Sequence, residues 1–140
     1  MPGNCLLVIS KNEGVNPISI AEQAIDSGII DKIIISDGSN SETFNRLKKN
    51  ETKEIEVISE RTYVDTLEAG KGVGMVNGGL AALKQGFDRI GFIDGDIYNP
   101  NVSKWMQFLF EPLERNVDVV KAAFSRNPAD GHLAETGCKR

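Results

Sequence analysis

The sequence predicts an α/β protein, a mostly parallel β-sheet flanked by helices. Two observations predict it. Short apolar runs rich in Val, Ile and Leu recur along the chain, as strands covered on both faces do. Between them lie segments whose apolar residues fall at helical spacing, so strand and helix alternate from end to end. The chain has 140 residues, a length that suits one domain with a single core.

The first run, Cys5-Leu6-Leu7-Val8-Ile9, reads as a buried strand. Lys11 to Pro17 reads as a loop, and Ile18, Ala21, Ala24 and Ile25 then make one apolar helical stripe that Gly28 stops. Lys32 to Ser36 is a second strand, followed by the turn Asp37-Gly38-Ser39-Asn40. Ser39 with Glu42 predicts a capping box for a helix from Asn40 to Lys49. Ile55 to Ile58 is a third strand, and Glu60 to Gly70 a loop. From Gly72 to Gly86 the spacing puts Met75, Val76, Gly79, Leu80 and Leu83 on one helical face, with Gly78 and Gly79 expected to allow close packing on the sheet. Arg89 to Ile93 is a fourth strand, ending in Asp94-Gly95-Asp96. Asn99 and Pro100 predict an N-cap and a first helical position. The helix after them carries Val102, Trp105, Met106, Leu109 and Leu113, with Trp105 expected in the core. Asp118 to Phe124 is a fifth strand. The expected organisation is an α/β domain over 1–126 and a polar tail over 127–140 that opens an acceptor-binding region or stands as a cut edge.

Composition narrows the function classes. The chain is 40% hydrophobic and 26% charged, as soluble domains are. It has no apolar run of about 18 residues, hence no transmembrane segment. With no basic leader before the first strand, the expected location is the cytoplasm. Net charge is -4 with no basic block, which argues against a nucleic-acid partner. Cys5 and Cys138 stand at opposite ends without a Cys/His cluster, so a zinc site is not expected; Cys5 reads as core and Cys138 as a reduced thiol.

Ligands of open α/β sheets bind beyond the carboxyl ends of the strands, and the polar residues cluster there. Strand one ends near Ser10, Asn12 and Glu13, strand two at Asp37, and strand four at Asp94 and Asp96. Two aspartates one residue apart suit a hard divalent cation, Mg2+ or Mn2+, with positions left for water and phosphate oxygens. Gly95 between them is expected to let a ligand approach the backbone. Gly70-Lys71-Gly72 places a cation at a helix start, where a phosphate is also favoured. It is not a Walker A loop, since Gly72 follows Lys71 where Ser or Thr is required. Asp37 suits the base or ribose of a nucleotide, or an Asx-turn. Glu13 suits the ribose side, or is a solvated loop acid. His132, the single histidine, lies in the polar tail.

Together these segments resemble the A-type (family 2-like) glycosyltransferases. Val8-Ile9-Ser10-Lys11-Asn12-Glu13 is similar to their opening strand, with Ser10 where they carry proline. Ser36-Asp37-Gly38-Ser39 resembles their acidic turn. Gly70-Lys71-Gly72-Val73-Gly74-Met75-Val76-Asn77-Gly78-Gly79-Leu80 is similar to their G-K-G-x-A-x-N-x-G-L segment, and Asp94-Gly95-Asp96 sits where their D-x-D belongs. The resemblance implies a Rossmann-like nucleotide-sugar-binding fold of GT-A type, incomplete at its C-terminus, a nucleoside-diphosphate sugar donor, and a divalent metal. It further implies Ser10, Asn12, Glu13, Asp37, Lys71 and Asp94 as donor-binding residues, with Asp37 at the nucleoside and Lys71 near the phosphates, and Asp96 and Asp94 at the metal. Val119 to Arg126 and Asp130 to Glu135 resemble the glucosyl-3-phosphoglycerate and mannosylglycerate synthases. By that likeness Gly131 and His132 bind the acceptor, although those enzymes carry arginine where His132 stands.

The expected activity is hexosyl transfer from a nucleoside-diphosphate sugar to a small-molecule or sugar acceptor, a glycerate-type one by that resemblance. No catalytic base is marked. The alternative is a non-catalytic nucleotide-binding or regulatory module on the same sheet. A nucleotidyltransferase is disfavoured, because the loop after strand one holds only Gly14 and one lysine. The synthase resemblance allows a homodimer.

Overall fold

Among the described residues four strands form one parallel sheet in the order β3-β2-β1-β4. They are β1 (Asn4–Ser10), β2 (Lys32–Asp37), β3 (Ile55–Ser59) and β4 (Arg89–Asp94). The structure, a computed structural model, describes residues 3–64, 70–98 and 101–122. Among the described residues four helices alternate with the strands: α1 (Asn16–Asp26), α2 (Ser41–Lys48), α3 (Lys71–Lys84) and α4 (Val102–Phe110), followed by a short 3-10 turn, Pro112–Arg115.

Each strand divides its apolar residues between two faces, as its two-residue period requires. Leu6, Val8, Ile33, Ile35, Ile55, Val57 and Ile93 face one side and pack with Ile18, Ile20, Ala21 and Ala24 of α1, Leu47 of α2, and Val102, Met106 and Phe110 of α4. Cys5, Leu7, Ile34 and Ile58 face the other and pack with Ala81 and Ala82 of α3. Burying each such Leu or Ile contributes about 1.5–3 kcal/mol. The chain moves outward from β1 to β3, then crosses back to place β4 on the other side of β1. That reversal makes the gap between the carboxyl ends of β1 and β4 the place where a doubly wound sheet opens a crevice.

Several elements depart from the sequence expectation. The face of α3 turned to the sheet is Gly74, Asn77, Gly78, Ala81 and Ala82, while Val76, Leu80 and Leu83 are exposed. A Cβ at Gly74 would stand 3.0 Å from Ile9 Cγ2, and one at Gly78 3.3 Å from Leu7 Cδ1. The helix lies too close to the sheet for large side chains, so its small residues face inward. Gly78 has the expected close-packing role; a Cβ at Gly79 would meet nothing within 4 Å. On α4 the buried residues are Val102, Met106 and Phe110, spaced by four, and Trp105 is 36% exposed rather than core.

Helix caps also shift by one or two residues. Asn40, not Ser39, caps α2 by accepting from Thr43 N at 2.9 Å. Asn101 caps α4 by accepting from Lys104 N, whereas Asn99 and Pro100 lie outside the described residues. Residues 118–122 are not a strand, and Val119 is exposed. Asn116 in the left-handed conformation ends the 3-10 turn just before them, and β-branched residues without a paired neighbour do not hold an extended ladder on their own. Residues 123–124 of that run, the 127–140 tail with Gly131, His132 and Cys138, and 65–69 of the loop lie outside the described residues. No helix among the described residues is long and apolar enough to cross a membrane.

Candidate functional site

Parallel register aligns the carboxyl ends: Ser10 lies opposite Asp37, and Ile9 opposite Asp94. Asp37 is 2% exposed. Its Oδ1 accepts from Ser10 Oγ at 2.6 Å and from Ser39 Oγ at 2.7 Å, and its Oδ2 accepts from Ser39 N at 3.0 Å. Ser39 Oγ in turn accepts from the backbone N–H of Asn12 at 2.7 Å. Asn12 has φ 57°, a left-handed conformation that Asn tolerates better than most residues. Asp37 therefore holds the ends of β1 and β2 together with its carboxylate filled by hydroxyl and amide donors.

The Asp94-Gly95-Asp96 turn stands across β1 from this knot. Gly95 N–H donates to Ile9 O at 2.9 Å. A Cβ on Gly95 would lie 2.9 Å from Ser10 Cβ and 3.2 Å from both Ile9 O and Pro17 Cγ. The glycine thus makes room for the end of β1 and for Pro17, which close on the side where its Cβ would stand. The two flanking aspartates remain partly or fully open, Asp96 being exposed.

Lys71 opens α3 and reaches this turn. Its Nζ lies 2.7 Å from Asp94 Oδ1. Gly70 before it has φ 145°, a backbone that favours glycine, and provides no side-chain cap for the helix. On the other side, Glu13 accepts a hydrogen bond from Tyr98 OH at 3.3 Å. The Glu13 carboxylate raises the Tyr98 phenol above its ordinary pKa, first by its charge and then by that hydrogen bond, with smaller contributions from desolvation and from Asp96. Sequence reasoning missed Tyr98 and also Asn16, whose Nδ2 donates to Gly95 O and to Ile97 O, both at 2.8 Å. Asn16 sits where a helix cap is expected, which masks any other role.

The structure thus brings Glu13, Lys71, Asp94 and Asp96 to one edge of the sheet, with Ser10, Asn12 and Asp37 forming the frame beneath and beside them. A polar cavity of about 370 Å3 lies at the ends of β2 and β3, lined among others by Ser39, Phe44, Asn45 and Glu60. Asp94 and Asp96 are hard oxygen donors on one turn, and a cation already rests against Asp94. Among the described residues no group of three or more His, Cys, Asp or Glu side chains could hold a metal. Such a donor pair fits Mg2+ or Mn2+ that keeps open positions for phosphate oxygens, and does not fit a closed structural site.

No protein-family profile matches the chain, and no curated protein does. Solved structures do resemble it. Glucosyl-3-phosphoglycerate synthase from Mycobacterium tuberculosis, in complex with Mn2+, uridine diphosphate and phosphoglyceric acid, is 25% identical with a TM-score of 0.58, over 80% of this chain and 39% of that one. The same enzyme with Mg2+ and uridine diphosphate is 23% identical with a TM-score of 0.60, over 80% and 39%. A crystal structure of a mycobacterial protein is 23% identical with a TM-score of 0.65, over 91% and 42%. The chain therefore spans about two-fifths of the length of these proteins. The likeness is one of fold: a parallel sheet flanked by helices, Rossmann-like in its architecture.

Proposed function

We propose that this chain is the donor-binding part of a GT-A type glycosyltransferase, one that transfers a hexose from a nucleoside-diphosphate sugar with the help of Mg2+ or Mn2+. The observation that carries this reading is the 2.7 Å contact of Lys71 Nζ with Asp94 Oδ1 at the β1/β4 crevice. It puts a cation suited to phosphate beside a carboxylate suited to metal, at the sheet position where nucleotides bind in such folds. A diphosphate and a divalent ion together need both charges within a few ångströms. The likeness to a synthase solved with Mn2+ and uridine diphosphate supports the same reading.

In this proposal Asp94 and Asp96 hold the metal, which when bound stabilises the diphosphate charge as it leaves. Lys71 and the uncapped start of α3 bind phosphate oxygens. Glu13 and Asn12 face the ribose side. The cavity beside Ser39 supports placing the nucleoside toward β2, with Asp37 acting through Ser10 and Ser39. Transfer to an acceptor, whether glycerate-like or another, is proposed for a whole protein of this kind, with Gly131 and His132 as its acceptor residues.

Calorimetric titration with uridine diphosphate tests the reading. Affinity should fall at least about tenfold, or about 1.4 kcal/mol, when Mn2+ is replaced by a chelator. Asp96→Ala should abolish that difference. Binding that is indifferent to Mn2+ in the wild type, or to Asp96→Ala, would refute the metal role.

A further inference from the structure

Asn16 breaks a local rule. Asparagine is among the best N-caps, yet Asn16 is the first residue inside α1, and the cap position falls to Val15, which makes no side-chain cap. The Asn16 amide is turned away from its own helix. Both of its N–H donors go to the carbonyls that bracket Asp96, Gly95 O and Ile97 O, each at 2.8 Å. An amide nitrogen has two hydrogens to donate, so its donor capacity is fully used there.

The anchoring is rigid on the Asn16 side. Ile18, Ile20, Ala21 and Ala24 bury α1 in the core. Pro17 lies against Gly95, within 3.2 Å of where its Cβ would be. Gly95 N–H is held from β1 by Ile9 O. Asp96 itself is exposed. Its backbone is fixed from both flanks by one side chain and by β1.

We propose that Asn16 is a positioning residue for the metal-binding turn: it holds the backbone on both sides of Asp96 so that the Asp94 and Asp96 carboxylates are preorganised for one divalent ion. The inference rests on the metal-dependent donor site proposed above. It also couples the β1–α1 loop, which carries Glu13, to that turn. Preorganised ligands bind without the cost of ordering the turn at the moment of binding.

The test compares the full chain with Asn16→Ala, Asn16→Asp and, as a control for helix stability, Asn101→Ala, which removes the α4 cap. Mn2+ affinity in the presence of uridine diphosphate is read from water-proton relaxation, uridine diphosphate affinity is read in chelator, and amide hydrogen exchange is read at Gly95. Asn16→Ala should weaken Mn2+ binding by about tenfold, leave nucleotide binding in chelator within about twofold, and speed exchange at Gly95 by about tenfold, each tenfold equal to about 1.4 kcal/mol. Asn16→Asp should be worse than Asn16→Ala, because it sets a carboxylate against two carbonyl oxygens. Asn101→Ala should leave Mn2+ affinity within about twofold of wild type. An Asn16→Ala protein with Mn2+ affinity unchanged, or an Asn101→Ala protein weakened as much, would overturn the proposal. A wild type that binds uridine diphosphate with no Mn2+ dependence would overturn the donor-site reading and the metal role of Asn16 with it. In that event unchanged exchange at Gly95 in Asn16→Ala would remove the clamp as well, and faster exchange would keep it as a structural one.

Discussion

Lys71→Met separates two effects that the proposed donor site assigns to one side chain. The Lys71 ammonium lies 2.7 Å from Asp94 Oδ1, with the two side chains 61% and 41% exposed. At that exposure an ion pair is worth about 0.2–1 kcal/mol. Mn2+ entering without nucleotide must displace the ammonium, so removing it should tighten metal binding about 1.4- to 5-fold. In the proposed donor site a bound diphosphate takes the lysine for itself, and a charge-assisted hydrogen bond is worth about 1.5–3 kcal/mol. Uridine diphosphate should therefore bind about 13- to 160-fold more weakly to the variant. The two affinities should move in opposite directions, the first read by relaxation titration with Mn2+ alone and the second by calorimetry. Raising the salt should shrink the gain in metal affinity, since exposed pairs are screened. If both affinities fall together, or if nucleotide binding is unchanged, Lys71 does not mediate between metal and phosphate and the reasoning fails.

Three further outcomes follow from the packing. Gly95→Ala should lower stability by about 1–3 kcal/mol, because its Cβ would land 2.9 Å from Ser10 Cβ; a thermal melt that does not shift would show that the turn yields freely. Asn77 is fully buried and joins α3 to β2 and β3: it donates to Ser36 Oγ at 3.1 Å and Ser59 O at 2.8 Å, and accepts from Tyr63 N at 2.8 Å. Asn77→Ala should cost about 1–3 kcal/mol in urea unfolding, and a loss below about 0.5 kcal/mol would contradict its tying role. Burial, with Glu56 adding to it and Lys32 opposing, pushes the Cys5 thiol from 9.0 up to about 12. Below 9 the thiol is protonated in both states; above it the unfolded chain releases the proton that the folded chain keeps. Stability should therefore fall as pH rises from 9 toward 12, by about 1.4 kcal/mol per pH unit from this group. Between about pH 9 and 10 the wild type should lose about 1 kcal/mol more than Cys5→Ala, and equal losses would show that the thiol titrates alike in both states.

The sheet was legible because its strands are short continuous apolar runs, a pattern that depends little on where neighbours fall. Helix α3 shows where such reading stops. Periodicity marks the residues that could be buried, and it selected Met75, Val76, Leu80 and Leu83. The distance between helix and sheet decides which face is turned inward, and Gly74 and Gly78 allow an approach that excludes those larger side chains. Trp105 misled for a similar reason: α4 presents Val102, Met106 and Phe110, and Phe110 needs Gly91 on β4, where a Cβ would stand 2.6 Å from its ring. That pairing lies far apart in sequence and leaves no local signal. The run from Asp118 has strand composition without a strand partner among the described residues.

For the site, chemistry was more legible than role. Residue types at strand ends identify an acidic, metal-suited crevice, since topology must gather carboxyl ends at one edge. They do not say which acid faces a ligand and which supports the frame. Asp37 and Asp94 both end a strand beside β1. Asp37 meets Ser10 and Ser39 and is consumed by their hydroxyls, while Asp94 pairs with the exposed ammonium of Lys71. The difference lies in the partners that each carboxylate finds at its side of β1. A serine at position 10 reaches across to Asp37, where a residue without a hydroxyl would leave that buried acid short of a donor. Ser10 and Asp37 therefore form a unit within the frame, which leaves the outward-facing charges of the crevice to Glu13, Lys71, Asp94 and Asp96.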